Sequence, residues 1–155
     1  MRECGDCTAC CGGALYLRVG EHKVHRGNPC PYICKENNNC SNYENRPDVC
    51  KNFECFWKAN ETVPEWLKPS QSGVILSYNS QKNQLDAYAV EGMEVKLGTF
   101  FNILQFVHSH NLTFVFNIND SDDNYFCGSL NFSNNHLNFE TLNRQQMIEG
   151  TAKLA

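Results

Sequence analysis

The positions of hydrophobic and polar residues predict four β-strands in the second half of the chain. Residues 73–78 and 85–90 are two apolar runs separated by a polar loop at residues 79–84, which is the pattern of a β-hairpin. Residues 112–118 alternate apolar with other side chains, and residues 125–132 form a further strand candidate. Such alternation is typical of a strand with one buried face. We therefore expect these four segments to pair in one sheet.

Two helices are predicted beside these strands. Residues 139–149 form a candidate terminal helix that Gly150 would end. The acidic residues 120–124, which lie before it, lack the glycine and the glutamate that a calcium loop needs, so we interpret them as a hairpin turn. The order of elements predicts an α+β fold, in which two helices cover one face of a mostly antiparallel sheet. The other predicted helix comprises residues 96–110, where Thr99 could act as a cap. One face of this helix carries Phe100, Ile103, Leu104 and Val107.

The first half of the chain has shorter patterns. Residues 14–19 alternate apolar with other side chains and predict one strand. The polar residues 20–28 are interpreted as a solvated loop or a short helix, although the spacing of His22 and His25 could also place two imidazoles on one metal. Residues 47–53 begin with Pro and Asp, which suit the first turn and the positive end of a helix dipole, so a short helix is predicted.

The chain of 155 residues has the length of one domain, residues 1–155. A chain of this size removes roughly 68–70% of its unfolded surface from water on folding, which allows an apolar core. Within the domain we distinguish a cysteine-rich subregion, residues 1–58, from an α+β subregion, residues 59–155. Residues 60–72 are interpreted as a connector and not as a domain boundary. We expect the cysteine-rich subregion to wrap around a metal site and to pack on the sheet.

Cysteine is concentrated at the start of the chain. No apolar run follows the N-terminus, so no signal peptide is predicted, and no stretch is apolar enough to span a bilayer. We therefore predict a soluble cytoplasmic protein without a membrane partner, in which thiols stay reduced and bind metal; a disulfide framework is the less favoured alternative. Nine of the ten cysteines lie in the first 55 residues: Cys4, Cys7, Cys10, Cys11, Cys30, Cys34, Cys40, Cys50 and Cys55.

The distribution of charge argues against a nucleic-acid partner. The net charge is −4, and residues 1–58 carry eight Lys and Arg against seven Asp and Glu. Four thiolates around a divalent ion would add about two more negative charges to this part. Binding to a phosphate backbone depends on Lys and Arg that neutralise it, so the sequence predicts no nucleic-acid partner.

The spacing of the first cysteines favours an iron–sulfur cluster. Cys4, Cys7 and Cys10 place three thiolates on one tight loop, which suits three corners of a [4Fe-4S] cluster. Zinc is the alternative, because it also accepts four thiolates. The fourth ligand could be Cys30, which precedes a proline as the last cysteine of bacterial ferredoxin runs does. Cys11 cannot easily point at the same ion as its neighbour Cys10, so one of the two serves a second site or stays free.

Other residues could complete a second site and surround it. Cys34 and Cys127 are interpreted as small buried hydrophobic residues. Arg46 could hold a turn, or offset the charge of the thiolates and donate hydrogen bonds to sulfur. Candidate ligands of the second site are Cys30, Cys40, Cys50 and Cys55, and a candidate apolar shell is formed by Tyr43, Phe53 and Trp57.

These motifs resemble the YkgJ-like CxxCxxCC family, whose members are described as zinc- or iron-chelating proteins. The resemblance covers residues 4–55, about a third of the chain. A related cysteine region occurs in flagellin lysine N-methylases, where it would imply an iron–sulfur cluster beside a methyl-transfer site. This chain has an extra Cys34 and no glycine-rich nucleotide loop, so a methyl-donor site is not carried over. The metal ligands that the resemblance implies are Cys4, Cys7, Cys10, Cys11, Cys30, Cys40, Cys50 and Cys55.

The sequence leaves three functions open, the third of which is a non-enzymatic assembly component that zinc stabilises. In the first, the metal centre is structural or carries electrons, and the protein is an accessory or interaction module for an unknown partner. In the second, an iron or iron–sulfur centre modifies a protein or small-molecule substrate in a pocket between the cysteine-rich half and the sheet. A closed four-thiolate site predicts the first function and an open coordination position predicts the second. Whether the protein is an enzyme is not decided by its sequence.

Overall fold

The computed structural model of the chain describes residues 2–121 and 124–154. Short elements fill the first 72 residues, and two small antiparallel hairpins, β1 with β2 and β3 with β4, organise them. In chain order the elements are a π-helical turn at Cys10–Ala14, β1 (Leu17–Val19), β2 (His22–Val24), β3 (Ile33–Cys34), β4 (Asn39–Cys40), α1 (Asp48–Asn52), α2 (Phe56–Ala59), a 3-10 turn at Glu65–Leu67 and α3 (Pro69–Ser72).

The remaining residues build one five-stranded sheet and two longer helices. These elements are β5 (Val74–Asn79), β6 (Gln84–Ala89), α4 (Leu97–Ser109), β7 (Thr113–Ser121), β8 (Asn124–Asn131), β9 (His136–Asn143) and α5 (Arg144–Leu154). The strands lie in chain order, and every pairing is antiparallel except that of β6 with β7. Parallel neighbours need a crossover connection, which α4 supplies. The predicted α+β class with a mostly antiparallel sheet is confirmed.

Helix α4 packs on one face of the sheet. Ile103 and Val107, which are one helical turn apart, are buried against Val74, Leu76 and Phe114. The burial of each apolar side chain of this size contributes roughly 1.5–3 kcal/mol to stability. The predicted helical face in residues 96–110 is therefore a core face.

Residues of the cysteine-rich part pack on the other face of the sheet. Successive strand residues point to opposite faces, so Ile75 points away from the face that carries Val74 and Leu76. Ile75 is buried in a cluster with Ala14 and Leu15. Strand β5 is therefore covered on both faces, which explains why it begins with three consecutive apolar residues.

A buried arginine joins the segment after β2 to the sheet. Arg26 exposes only 4% of its surface. Its guanidinium donates hydrogen bonds to the carbonyl oxygen of Ala89 at 3.0 Å and to Oδ1 of Asn117 at 2.9 Å. The carboxylate of Glu91 lies 4.0 Å away. A buried charge is tolerated when it is paired and hydrogen-bonded, so Arg26 fixes the cysteine-rich part on this face.

The predicted terminal helix at residues 139–149 is wrong at both ends. Strand β9 extends to Asn143, and α5 begins at the next residue and continues past Gly150 to Leu154. Phe139 lies opposite Gly128 in the ladder with β8, and its ring packs on Phe126 with centroids 5.2 Å apart. Apolar residues three positions apart fit a helix equally well, so strand pairing decided the conformation.

The structure corrects two other local predictions. The strand predicted at residues 14–19 is shorter, because Ala14 belongs to the π-helical turn. Residues 20–28 contain β2, where a loop or short helix was expected. The helix predicted at residues 47–53 is confirmed as α1, whereas the turn predicted at residues 120–124 lies partly outside the described residues. No helix in the described part of the chain is long and apolar enough to cross a bilayer.

Candidate functional site

One cavity of about 100 Å³ in the cysteine-rich part has eight thiols in its wall. All ten cysteines of the chain are free thiols. The fold thus brings together every cysteine that the motif predicts as a metal ligand, although residues as distant as 4 and 55 are involved. The eight residues, which we call the cavity thiols, are Cys4, Cys7, Cys10, Cys11, Cys30, Cys40, Cys50 and Cys55.

The two other cysteines lie elsewhere. Cys127 is buried in a cluster with Met147, its Sγ 3.3 Å from the Sδ of that residue, and burial raises the pKa of its thiol to about 11. Cys34 lies half-buried in β3, opposite Asn39. Neither residue belongs to the described wall of the thiol cavity. The interpretation as a small buried hydrophobic residue is confirmed for Cys127, whereas Cys34 is only half-buried.

Two consecutive turns position the first cavity thiols. The amide of Cys7 donates to the carbonyl oxygen of Cys4 at 2.8 Å, which closes the first turn. The π-helical turn then carries Cys10 and includes Gly13, whose φ of 107° lies in a region that glycine adopts without strain. A Cβ at this position would collide with the carbonyl oxygen of His25. The first cysteine loop can therefore lie against β2 only because residue 13 is glycine.

The other four cavity thiols lie in or next to the β3–β4 hairpin, α1 and α2. The amide of Cys30 donates to the carbonyl oxygen of Cys11 at 2.8 Å and so ties the start of the β3–β4 hairpin to the first loop. Cys40 ends β4, and Cys50 lies in α1. Cys55 is the residue immediately before α2. The thiols meet at one cavity because these short elements pack against one another.

The wall of the cavity also contains the side chains predicted to surround the thiols. Tyr43, Arg46, Phe53 and Trp57 all line it. The guanidinium of Arg46 stacks on the ring of Tyr43, 3.9 Å from its centroid. A cation at this position partly offsets negative charge on the thiols, and the aromatic rings limit access of water.

Trp57 supplies an unused hydrogen-bond donor in this wall. The indole is 5% exposed, and Arg2 lies over its ring, 4.7 Å from the centroid. Within residues 2–121 and 124–154, the buried Nε1 has no hydrogen-bond partner. A buried donor without an acceptor is costly. A sulfur atom held by the cavity thiols would be a suitable acceptor.

Burial makes several cavity thiols reluctant to ionise on their own. It is the largest cause of the raised pKa of Cys10, Cys50 and Cys55, and it raises that of Cys11 to about 12. The charges of neighbouring thiols raise these pKa values further. A cation has the opposite effect, because coordination to a metal deprotonates a thiol. The chemistry of this donor set therefore favours a metal over isolated thiolates.

The thiols are close to one another but do not surround a common point. Among the described residues, no group of three or more His, Cys, Asp or Glu side chains is placed as metal ligands are. Ligand sulfurs lie about 2.3 Å from zinc. Metal coordination would therefore require the side chains of the cavity thiols to change their positions.

The two histidines of β2 and its following turn face other groups. Nε2 of His22 lies 2.9 Å from the carbonyl oxygen of Pro29. Nδ1 of His25 lies 3.0 Å from the carbonyl oxygen of Arg26, and its ring stacks on Tyr16. Neither imidazole belongs to the described wall of the thiol cavity.

Sequence reasoning missed several residues of the wall. Lys58 is the most informative of them, since it adds a second cation beside Arg46 and follows Trp57 directly in the chain. Tyr32 could have been inferred from its position two residues after Cys30. The apolar residues had no local signal. The wall residues that were missed are Leu17, Val19, Tyr32, Val49, Lys58 and Pro69, with Gly5, Asn42 and Pro47.

Comparison with known proteins identifies no relative of this chain: no protein-family model, no curated protein and no solved structure matches it.

Proposed function

We propose that this chain is a metal-binding protein, which holds an iron–sulfur cluster or zinc through the eight cavity thiols and acts as an accessory or interaction module. The resemblance to YkgJ-like proteins leads to the same proposal. Reduced thiols agree with a cytoplasmic location, and the acidic composition agrees with a protein or small-molecule partner in place of a nucleic acid.

One observation carries the proposal. The cavity thiols are the eight motif cysteines without exception, whereas Cys34 and Cys127 lie outside the cavity wall. Packing alone does not explain why these eight cysteines line the cavity and the other two do not, because a buried cysteine behaves as a small apolar residue wherever it lies. Eight thiols around one small cavity are a donor set for a soft metal such as iron or zinc.

The protein would bind, shield and tune the metal. Thiolates would be the direct ligands, and Tyr43, Phe53 and Trp57 would keep water away from them. Arg46 and the Nε1 of Trp57 would provide positive charge and a hydrogen-bond donor for sulfur, the two kinds of contact that adjust the potential of a cluster. When bound, a cluster would supply electron transfer and zinc would supply structural support.

Purification without oxygen tests the proposal and identifies the metal. Iron, zinc and acid-labile sulfide are measured per chain, together with the visible spectrum before and after dithionite. We expect a brown protein with sulfide and a broad band that dithionite bleaches. A colourless protein with stoichiometric zinc would identify the bound metal as zinc and not as an iron–sulfur cluster. A protein without metal would contradict the proposed function.

A second cavity favours the enzyme as the alternative function. It has a volume of about 520 Å³, within the range of small-molecule sites, and a mostly apolar wall. It lies between α4, the sheet and the segment after Cys55; Phe56, Val63 and Leu67 belong to its wall. Cys55 and Phe56 are adjacent in the chain, so this pocket begins one residue from the thiol cavity.

The two functions differ in whether the metal has an open coordination position. If the centre is closed, cyanide added to the anaerobic protein leaves its electron paramagnetic resonance and absorption spectra unchanged. If one position is open, the spectra change as cyanide is added, and the change reaches a plateau at high cyanide concentration. The first result supports the accessory module, and the second supports the enzyme.

A further inference from the structure

We infer that the cavity thiols form two separate four-thiolate metal sites, the first made by Cys4, Cys7, Cys10 and Cys55, the second by Cys11, Cys30, Cys40 and Cys50. This inference rests on the proposed function and says how its ligands are divided. Each site would take one thiophilic centre, either a zinc or iron ion or an iron–sulfur cluster, as its four thiols release their protons to solvent. We call the two sets the sheet-side site and the hairpin-side site.

The sheet-side site is defined by its packing. The side chains of Cys7, Cys10 and Cys55 pack against one apolar cluster that contains Ile75 of β5. Cys4 is held next to them by the hydrogen bond from the amide of Cys7 to its carbonyl oxygen. Three neighbours in the sequence and one cysteine 45 residues later are therefore collected on the same face of the sheet.

The hairpin-side site packs on a different cluster. Cys30 is buried together with Val19 and Val24, and Cys11, Cys50 and Ile33 pack against these residues. Cys40 lies directly opposite Ile33 in the β3–β4 hairpin. The four members of this set are thus joined by the two small hairpins and α1, and not by the five-stranded sheet.

The conformation of the chain at residues 10 and 11 explains the division. Both residues lie in the π-helical turn, and adjacent residues of a helix do not face each other. Cys10 therefore belongs to the cluster on the sheet, and Cys11 belongs to the cluster between the hairpins. A vicinal pair is the arrangement that lets one short loop supply a ligand to each of two neighbouring sites.

Arg46 lies where it can serve both sites. Its guanidinium stacks on Tyr43 in the same cavity wall as Cys4, from the sheet-side site, and Cys50, from the hairpin-side site. Four thiolates and one divalent ion carry a net charge of about −2, so two such sites close together repel each other. A guanidinium in the shared wall reduces this repulsion.

Metal content of paired variants tests the division. The full-length chain is purified without oxygen as wild type, C55S, C40S, C7S/C55S and C40S/C55S, with C34S as the control. We expect C55S, C40S and C7S/C55S each to retain about half of the wild-type metal, C40S/C55S to retain none, and C34S to retain all. Complete loss in C55S or C40S, or half retention in C40S/C55S, contradicts the division.

A measurement on the wild-type chain removes any dependence on the folding of variants. After removal of its metal, the protein is loaded with cadmium-113 and studied by NMR. Two resonances of equal intensity in the region of four-thiolate coordination are expected. A single resonance contradicts the division while leaving the proposed function intact, whereas a chain that binds no metal in either experiment contradicts the proposed function itself.

Discussion

The guanidinium of Arg26 lies over the ring of Tyr125, 4.3 Å from the ring centroid. Tyr125 belongs to β8, near the far edge of the five-stranded sheet, and Arg26 follows the β1–β2 hairpin. The contact therefore spans the distance between the cysteine-rich part and the last strands. With its hydrogen bonds to Ala89 and Asn117, it makes Arg26 a buried polar link between the cysteine-rich part and the sheet.

Replacement of this arginine should destabilise the protein. In R26L the carbonyl oxygen of Ala89 loses the arginine donor in a buried environment, the Oδ1 of Asn117 retains the amide of Ala89 but loses its charged donor, and the contact with Tyr125 is lost. We expect the free energy of unfolding to fall by about 3 kcal/mol, measured by urea denaturation. The control is R18L at an exposed position of β1, which should change stability by less than about 0.5 kcal/mol. Equal effects of the two substitutions would show that Arg26 is not a link.

The close approach of the first cysteine loop to β2 predicts a strong effect of G13A. The new Cβ would collide with the carbonyl oxygen of His25 and lie 2.8 Å from its carbonyl carbon, at a φ unfavourable for alanine. We expect stability to fall by about 2–3 kcal/mol, measured by thermal unfolding, together with weaker metal retention. The matched control is G12A, one residue earlier, where the Cβ meets open space. A neutral G13A would mean that the loop does not need this contact.

The contacts between the two parts predict one cooperative unit. Arg2 donates hydrogen bonds to the carbonyl oxygens of Trp57, Asn60 and Val63, which fastens the N-terminus to the connector. Limited proteolysis should therefore degrade the chain as a whole, and urea unfolding should follow one transition. Release of a stable fragment that begins near residue 60 is the result that rules out this prediction.

Local patterns predicted four of the five strands of the sheet, whereas long-range pairing decided the fifth. The β5–β6 hairpin and α4 could be predicted because their apolar residues repeat at clear intervals. Strand β9 was missed because Phe139 and Leu142 also fit a helix, and because the turn before it uses Asn135 at a φ of 52° without a glycine to mark it.

The membership of the candidate site could be predicted, but its geometry could not. The eight metal ligands that the resemblance implies are the eight cavity thiols. Cysteine spacing offered Cys30 as the fourth partner of the first three, whereas the structure packs Cys55 beside them and Cys30 beside Cys11. The position of Cys55 depends on how the connector passes the edge of β5, which no local pattern contains.

Histidines should not be required for metal binding. The imidazoles of His22 and His25 are engaged with backbone carbonyl oxygens and Tyr16, and eight thiols suffice for two sites. We expect H22A/H25A to retain the wild-type metal content, measured by elemental analysis after anaerobic purification. Loss of a stoichiometric amount of metal from this variant would assign an imidazole to a site.

Native mass spectrometry of the anaerobically purified full-length chain tests the central claim most directly. The account predicts that the mass under non-denaturing conditions exceeds that under denaturing conditions by the mass of bound metal and any sulfide. The excess should persist in C34S and C127S and should decrease in C10S and C11S. Equal masses for the wild-type chain under both conditions, or an excess that C10S and C11S leave unchanged, would contradict the account.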